Sequence, residues 1–122
     1  MATENVQSSI TLASAADLSS SQYCFVKLSA GLAALCGAGE DAIGVLQNDP
    51  AAAARAAEIA DGGIVKVKVG AVVAQDANVA SDSTGRAVTA VSGDYMLGKA
   101  LEASTAANQI IRVLRTSRNP IL

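Results

Sequence analysis

An alternation in the middle of the chain constrains the fold most. Residues 64–69 read IVKVKV, and a period of two places Val65, Val67 and Val69 on one face and both lysines on the other. This pattern is typical of a half-buried β-strand. One face of that strand is expected to meet a core and the other to meet solvent.

Other short apolar runs, separated by turn signals, indicate more strands of the same kind. Gly44 lies inside one run, which indicates a bulge or a close backbone approach, and Gly85 sits in a polar turn. Close, regular strand spacing predicts a mainly β fold, a small β-barrel or β-sandwich of short, mostly antiparallel strands. Strands are predicted near 23–29, 42–47, 55–60, 63–69, 86–91, 95–101 and 109–115, with weaker pieces at 10–12 and within 30–41.

Residues 48–60 carry conflicting signals. Asp49 suits a helix cap, Pro50 a first helical position, and six of residues 51–57 are alanine. A weak internal repeat favours another interpretation, because "VKLSAG…AIGVLQNDPAAA" (26–53) resembles "AVTAVSGDYMLGKALEASTAA" (87–107) in layout. By this analogy 51–54 is a loop and 55–60 a strand that ends at an Asp61-Gly62-Gly63 turn, with a helix at 50–57 left open.

The length of 122 residues predicts one domain. We divide it into an N-terminal arm at 1–9, a β core at 10–114 and a C-terminal tail at 115–122. The hydrophobic fraction is 51%, but 26 of the residues are alanine and only three are aromatic. Alanine buries little apolar surface, so the core is expected to be thin. Association with copies of the chain or with a partner is therefore expected.

The charge distribution argues against nucleic acid as a partner. The net charge is −2 and the sequence pI is about 4.9, whereas nucleic-acid binders usually carry a basic patch and a high pI. The exception is the C-terminal end, where residues 103–122 hold three arginines and no acid. This basic end is a candidate docking element, with a solvated charged end as the alternative.

The residues give no support for catalysis. The chain has no histidine, which removes the commonest general base and most zinc sites, and no phosphate-binding glycine motif is present. Cys24 and Cys36 fit no common metal spacing and are expected to be reduced, packed and free of an essential disulfide. Catalytic, cofactor and metal residues are therefore predicted as none, with no small-molecule substrate. Residues 1–22 lack signal-peptide features and no membrane span is visible, so a cytoplasmic site of synthesis is expected.

Several segments together resemble one known family. In order, "TLASAADLSSSQYCFVKLS", "GAGEDAIGVLQNDPAAAARAAEIADGGIVKVKVGAVV", "VASDSTGRAVTAVSGDYMLGKALEAS" and "QIIRVL" are similar to the DUF2190 family of capsid cement, or head decoration, proteins of tailed double-stranded DNA bacteriophages. The resemblance spans about residues 10–114 and is most specific in "AIGVLQNDPAA" and "GDYMLGKALEA". "AAAARAAEIA" departs from the family pattern, which has a glycine and an acid near Arg55.

The resemblance implies a small β-rich subunit, often trimeric, on the outside of the capsid and without enzymatic activity. The leading interpretation is a virion protein, made in the host bacterial cytoplasm, that binds the major capsid protein lattice and stabilises the DNA-filled head. The alternative is a small carrier domain similar to biotinyl or lipoyl domains, or another non-catalytic binding module. Candidate capsid or subunit contacts lie near the two ends: Thr3, Glu4, Asn5, Arg112, Arg115, Arg118, Ile121 and Leu122.

Overall fold

The computed structural model describes the backbone of residues 5–115 and the side chains of residues 9–115. In this range the chain forms nine strands and no helix, and the strands make one antiparallel sheet curled into a half-barrel. The predicted mainly β fold is confirmed. The strands are β1 (Asn5–Ala13), β2 (Phe25–Ser29), β3 (Leu32–Leu35), β4 (Gly44–Leu46), β5 (Ala56–Lys68), β6 (Asn78–Ser81), β7 (Ala87–Thr89), β8 (Gly98–Ala100) and β9 (Ile110–Arg115).

The first strand begins earlier than the sequence predicts. Residues 5–9, assigned above to the N-terminal arm, belong to β1, which pairs antiparallel with β5 and places Ile10 opposite Ile59. This pairing uses backbone groups, which polar residues supply as well as apolar ones. A side-chain pattern therefore does not reveal it. Residues 1–4 and 116–122 lie outside the described part of the chain.

The Asp61-Gly62-Gly63 turn is a wrong prediction. The chain continues through these residues as one strand, β5. The register between β1 and β5 shifts between Val6 and Ser9, and Gly63 has a φ of +81°, which glycine adopts without steric cost. The glycines therefore accommodate a bulge in a continuous strand rather than a reversal of the chain.

The alanine-rich segment is a loop followed by a strand, as the repeat predicted. Residues 51–55 are neither helix nor strand, and β5 begins at Ala56. Ala54 has a φ of +65°, a left-handed conformation that no residue of a right-handed helix adopts. The β-sheet context overrides the helical propensity of alanine, since β5 gains two strand partners along this stretch.

The sheet order is β3-β2-β4-β5-β9-β8-β6-β7, with β1 also paired to β5. The two halves of this order have the same pattern of strand pairing. We call residues 9–60 unit 1 and residues 64–115 unit 2. In unit 1, β1 pairs with β5, β2 with β3 and β4, and β4 with β5. In unit 2, the second half of β5 pairs with β9, β6 with β7 and β8, and β8 with β9. The chain is therefore a tandem repeat of one five-stranded unit, and β5 serves both copies.

The two units share their pairing registers as well as their topology. Val26 faces Gly44 and Leu35, and its counterpart Val79 faces Gly98 and Thr89. Residues with positive φ also correspond at a spacing of 54 positions: Gly31 with Gly85, Gly39 with Gly93, and Ala54 with Asn108. The sequence repeat matched Gly44 and Gly98 correctly. It aligned β2 with β7, however, whereas the structural counterpart of β2 is β6.

Each unit has its own small core. The unit 1 cluster contains Leu18, Val26, Ala33, Leu46, Ala57 and Ile59, and the corresponding residues of unit 2, Val73, Val79, Ala87, Ala100, Ile111 and Val113, lie in the larger cluster. That larger cluster also takes five residues from the opposite face of unit 1: Phe25, Cys36, Ala42, Val45 and Ala60. Unit 1 therefore packs a second apolar face against unit 2.

Candidate contact surface

A positively charged face lies on the second half of β5 and on β9, within unit 2. Lys66 stands directly opposite Arg112 in the antiparallel register, and Lys68 shares the face of Lys66 because it lies two residues along the strand. All three side chains are half-buried. We call Lys66, Lys68 and Arg112 the basic face.

Neighbouring groups hold the basic face in place. The backbone N–H of Arg112 donates to Glu102 Oε1 over 2.9 Å, and Arg112 Nε lies 3.6 Å from the same oxygen. Lys66 Nζ lies 6.0 Å from the ring centroid of Tyr23, the outer limit for attraction between a cation and an aromatic face. Since like charges directly opposite each other repel, Glu102 offsets part of the repulsion between Lys66 and Arg112.

Arg115 has a different environment from Arg112. Its Nη1 donates to the carbonyl oxygen of Leu97 over 2.7 Å, and its Nη2 donates to that of Ala42 over 3.4 Å. Leu97 belongs to unit 2 and Ala42 to unit 1, so this guanidinium joins the units. The three-residue separation places Arg112 and Arg115 on opposite faces of β9, and the two arginines do not form one patch.

The remaining candidate residues are at the ends of the chain. Asn5 begins β1 opposite Ile64. The other five lie outside the described residues: Thr3, Glu4, Arg118, Ile121 and Leu122. Sequence reasoning missed that Lys66 and Lys68 join Arg112, because the alternation gives the face of a strand but not the neighbour with which that strand pairs.

All four lysines of the chain lie within strands, namely Lys27 in β2, Lys66 and Lys68 in β5, and Lys99 in β8. A carrier domain requires a lysine exposed at the tip of a hairpin, so this placement disfavours the carrier alternative.

Lys27 Nζ lies 2.8 Å from Glu40 Oε1. Their hydrogen bond raises the pKa of Lys27 and lowers the pKa of Glu40.

Both cysteines are buried, and neither is in a disulfide. Burial raises the pKa of the Cys24 and Cys36 thiols, because it disfavours the charged thiolate. Neutral buried thiols act as small apolar core groups rather than as nucleophiles. Residues 5–115 bring together no group of three metal-ligating acidic, cysteine or histidine side chains, and this part of the chain has no helix that could cross a membrane.

Comparison with known proteins gives the family. A model described as phage cement protein matches residues 2–115. The chain belongs to the phage cement protein family. The cement protein is thus a head-associated structural protein of phages. This family match confirms the resemblance drawn from the sequence.

One solved structure supports the same fold. The cement protein is similar to the head fiber gp8.5 N base in bacteriophage phi29, with a TM-score of 0.75 and 15% sequence identity. The match covers 94% of this chain and 98% of the other. At this identity the likeness concerns the fold alone. None of the curated proteins matches the chain.

Proposed function

We propose that the cement protein is a decoration subunit that binds the outer surface of the major capsid protein lattice and stabilises the DNA-filled head. The family match over residues 2–115 carries this proposal. The subunit is made in the host bacterial cytoplasm and acts by contact, without catalysis. Its partners are the major capsid protein and other copies of itself, most simply as a trimer.

The basic face supports a contact role, and we propose it as the surface that meets the capsid. The chain as a whole has a net charge of −2, yet Lys66, Lys68 and Arg112 concentrate positive charge on one face of the sheet. A face of this kind suits an acidic region of a capsid. Exposed ion pairs contribute about 0.2–1 kcal/mol each, so strong attachment depends on many subunits or several contacts acting together.

Self-association is supported by the composition of the core. Of the 23 buried apolar residues in the described range 9–115, only Phe25 is aromatic, and most of the others are valine or alanine. Each buried CH₂ contributes about 0.8 kcal/mol, so these residues stabilise a single chain weakly. Burial against neighbouring copies adds the apolar contact that the core lacks.

The test is co-sedimentation of the purified cement protein with phage heads that lack it. Wild-type protein is expected to sediment with the heads, and binding is expected to weaken as salt rises, because screening reduces ionic contacts. Replacing Lys66 with glutamate should lower binding to phage heads several-fold. The matched control is Arg55→Glu, which reverses one positive charge at an exposed loop position outside the basic face.

Absence of wild-type binding to heads would contradict the proposed function. Equal loss of binding in Arg55→Glu and in Lys66→Glu would contradict only the role of the basic face, since net charge rather than position would then decide binding.

A further inference from the structure

The junction between the two units shows how one copy of the unit receives another. The β6–β7 turn of unit 2 lies on β2 of unit 1, where the Phe25 N–H donates to the carbonyl oxygen of Gly85 over 2.7 Å. A Cβ at Gly85 would lie 2.7 Å from the Phe25 oxygen and 2.8 Å from Leu35 Cδ1. On the receiving side, the Gly39 N–H donates to the carbonyl oxygen of Ser81 over 2.9 Å. Unit 1 is therefore the receiving unit and unit 2 supplies the docking turn.

The counterparts of these junction residues have no such neighbour. Gly31 occupies in unit 1 the place that Gly85 occupies in unit 2, and Gly93 corresponds to Gly39. A Cβ added at Gly31 or at Gly93 would meet nothing within 4 Å. The chain thus contains one filled junction and two open half-junctions, a docking turn on unit 1 and a receiving face on unit 2.

Exposed apolar side chains mark both open half-junctions. On unit 1, Ile10 is 39% exposed and Leu32, beside Gly31, is 36% exposed. Ile10 corresponds to Val65, which is fully buried in the cluster that joins the units. We call Ile10, Gly31 and Leu32 the head of the chain, as distinct from the phage head.

The opposite half-junction also carries exposed apolar side chains. On unit 2, Val91 is 62% exposed and Leu114 is 38% exposed. Leu114 corresponds to Ala60, which is fully buried in the same cluster, and the exposed Asn78 corresponds to the buried Phe25. We call Asn78, Val91, Gly93, Lys99 and Leu114 the tail surface.

We propose that the head of one cement protein chain docks on the tail surface of a second copy, as unit 2 docks on unit 1 within the chain. In this contact the Asn78 N–H of one chain donates to the Gly31 carbonyl oxygen of the next. The substitution of Phe25 by Asn78 and of Val45 by Lys99 makes the tail surface more polar than its internal counterpart. Such polarity suits an interface whose surfaces meet water before assembly.

The contact is heterologous, because head and tail are different surfaces, so repetition leads to a closed ring or an open filament. A trimer closed in this way has six similar units around its axis, with internal junctions alternating with junctions between chains. The inference rests on the self-association proposed above and is independent of capsid binding.

Light scattering on three single variants tests the contact. Leu32→Asp places a charge in the head, Val91→Asp places one in the tail surface, and each is expected to weaken self-association by at least about tenfold. The matched control is Val72→Asp, because Val72 is 64% exposed and belongs to neither surface. Wild-type protein and the control should exceed the 12.2 kDa of one chain, whereas the other two variants should be monomers. Should Val91→Asp melt early, Lys99→Glu on the same surface replaces it.

Mixing the two monomeric variants separates a head-to-tail contact from a symmetric one. The Leu32→Asp chain keeps an intact tail surface and the Val91→Asp chain keeps an intact head, so the mixture should form a species of two chains and grow no further. A mixture that stays monomeric, a control that dissociates, or wild-type protein that is monomeric at every concentration would overturn the proposal. Binding of the monomeric variants to phage heads is measured separately, so failure of this contact is distinguishable from failure of the capsid proposal.

Discussion

Gly44 and Gly98 occupy the same place in the two units, where a short strand lies close against its neighbour. A Cβ at Gly44 would lie 2.5 Å from the carbonyl oxygen of Ala60 and 2.6 Å from Ile59 Cγ2. A Cβ at Gly98 would lie 2.6 Å from Val113 Cγ1 and 2.7 Å from the Leu114 oxygen. These glycines are needed for space, since backbone atoms on a paired strand cannot move aside.

Replacing Gly44 or Gly98 with alanine is therefore expected to lower the free energy of unfolding by about 1–3 kcal/mol, the usual cost of overpacking. Urea denaturation measures this change. Gly37→Ala is the matched control, because the nearest atoms there belong to the flexible side chain of Glu40; a change below about 0.5 kcal/mol is expected. Equal destabilisation at Gly37 and Gly44 would contradict the close-approach argument.

The buried thiols predict a loss of stability at alkaline pH. The pKa of Cys24 and that of Cys36 are raised above 9.0 in the folded chain, so the unfolded chain releases these protons first. Their contribution is then fully present below pH 9.0 and is lost as pH rises through the folded pKa values. Melting temperatures should fall less steeply above this pH in a Cys24→Ala, Cys36→Ala double variant than in wild type. If the melting temperatures of the two proteins fall equally steeply above pH 9.0, the cysteines are not the cause of the loss of stability.

At the scale of elements, the loop before β5 shows how tertiary pairing overrides local propensity. Ala54 has a φ of +65°, and its counterpart in unit 2 is Asn108, with a φ of +69°. The N–H of each donates to an equivalent carbonyl oxygen, that of Ser14 or that of Val69. Asparagine tolerates this conformation better than alanine.

Ala54→Asn is accordingly expected to raise the free energy of unfolding by about 0.5–1 kcal/mol, because it relieves a left-handed alanine. In a helix the same change would destabilise, since asparagine is the poorer helix former. Thermal melting distinguishes the two signs. Ala53→Asn, at the neighbouring turn position, serves as the control and should change little.

At the scale of the whole molecule, the two ends of the chain carry the remaining candidate contacts. Residues 116–122 contain Arg118, Pro120, Ile121 and Leu122, which combine a charge with an apolar pair. Such a segment suits either a groove on the capsid or a neighbouring subunit. The match to the phage cement protein family ends at residue 115, so the family assigns no role to this segment.

Deleting residues 116–122 is expected to reduce either head binding or self-association noticeably, although loss of Arg118 alone should matter little at about 0.2–1 kcal/mol per exposed pair. Co-sedimentation with heads and light scattering measure the two effects. If binding to phage heads is lost while the oligomer stays intact, residues 116–122 dock on the capsid. If the oligomer dissociates, these residues contact a neighbouring subunit. If neither changes, the tail has neither role.

The amino-acid sequence alone predicted the mainly β fold and the resemblance to cement proteins. It favoured a loop at 51–54 while leaving a helix open, and at Gly44 it left a bulge and a close backbone approach as alternatives. These depend on local alternation, turn residues and residue order, which act over a few positions. The tertiary structure decided that β5 continues through Gly62-Gly63, that residues 5–9 join the sheet, and that Lys66 stands opposite Arg112. Each of these follows from which strands pair and in what register. Backbone hydrogen bonds between distant segments set that pairing, and they leave no periodic trace in the side chains.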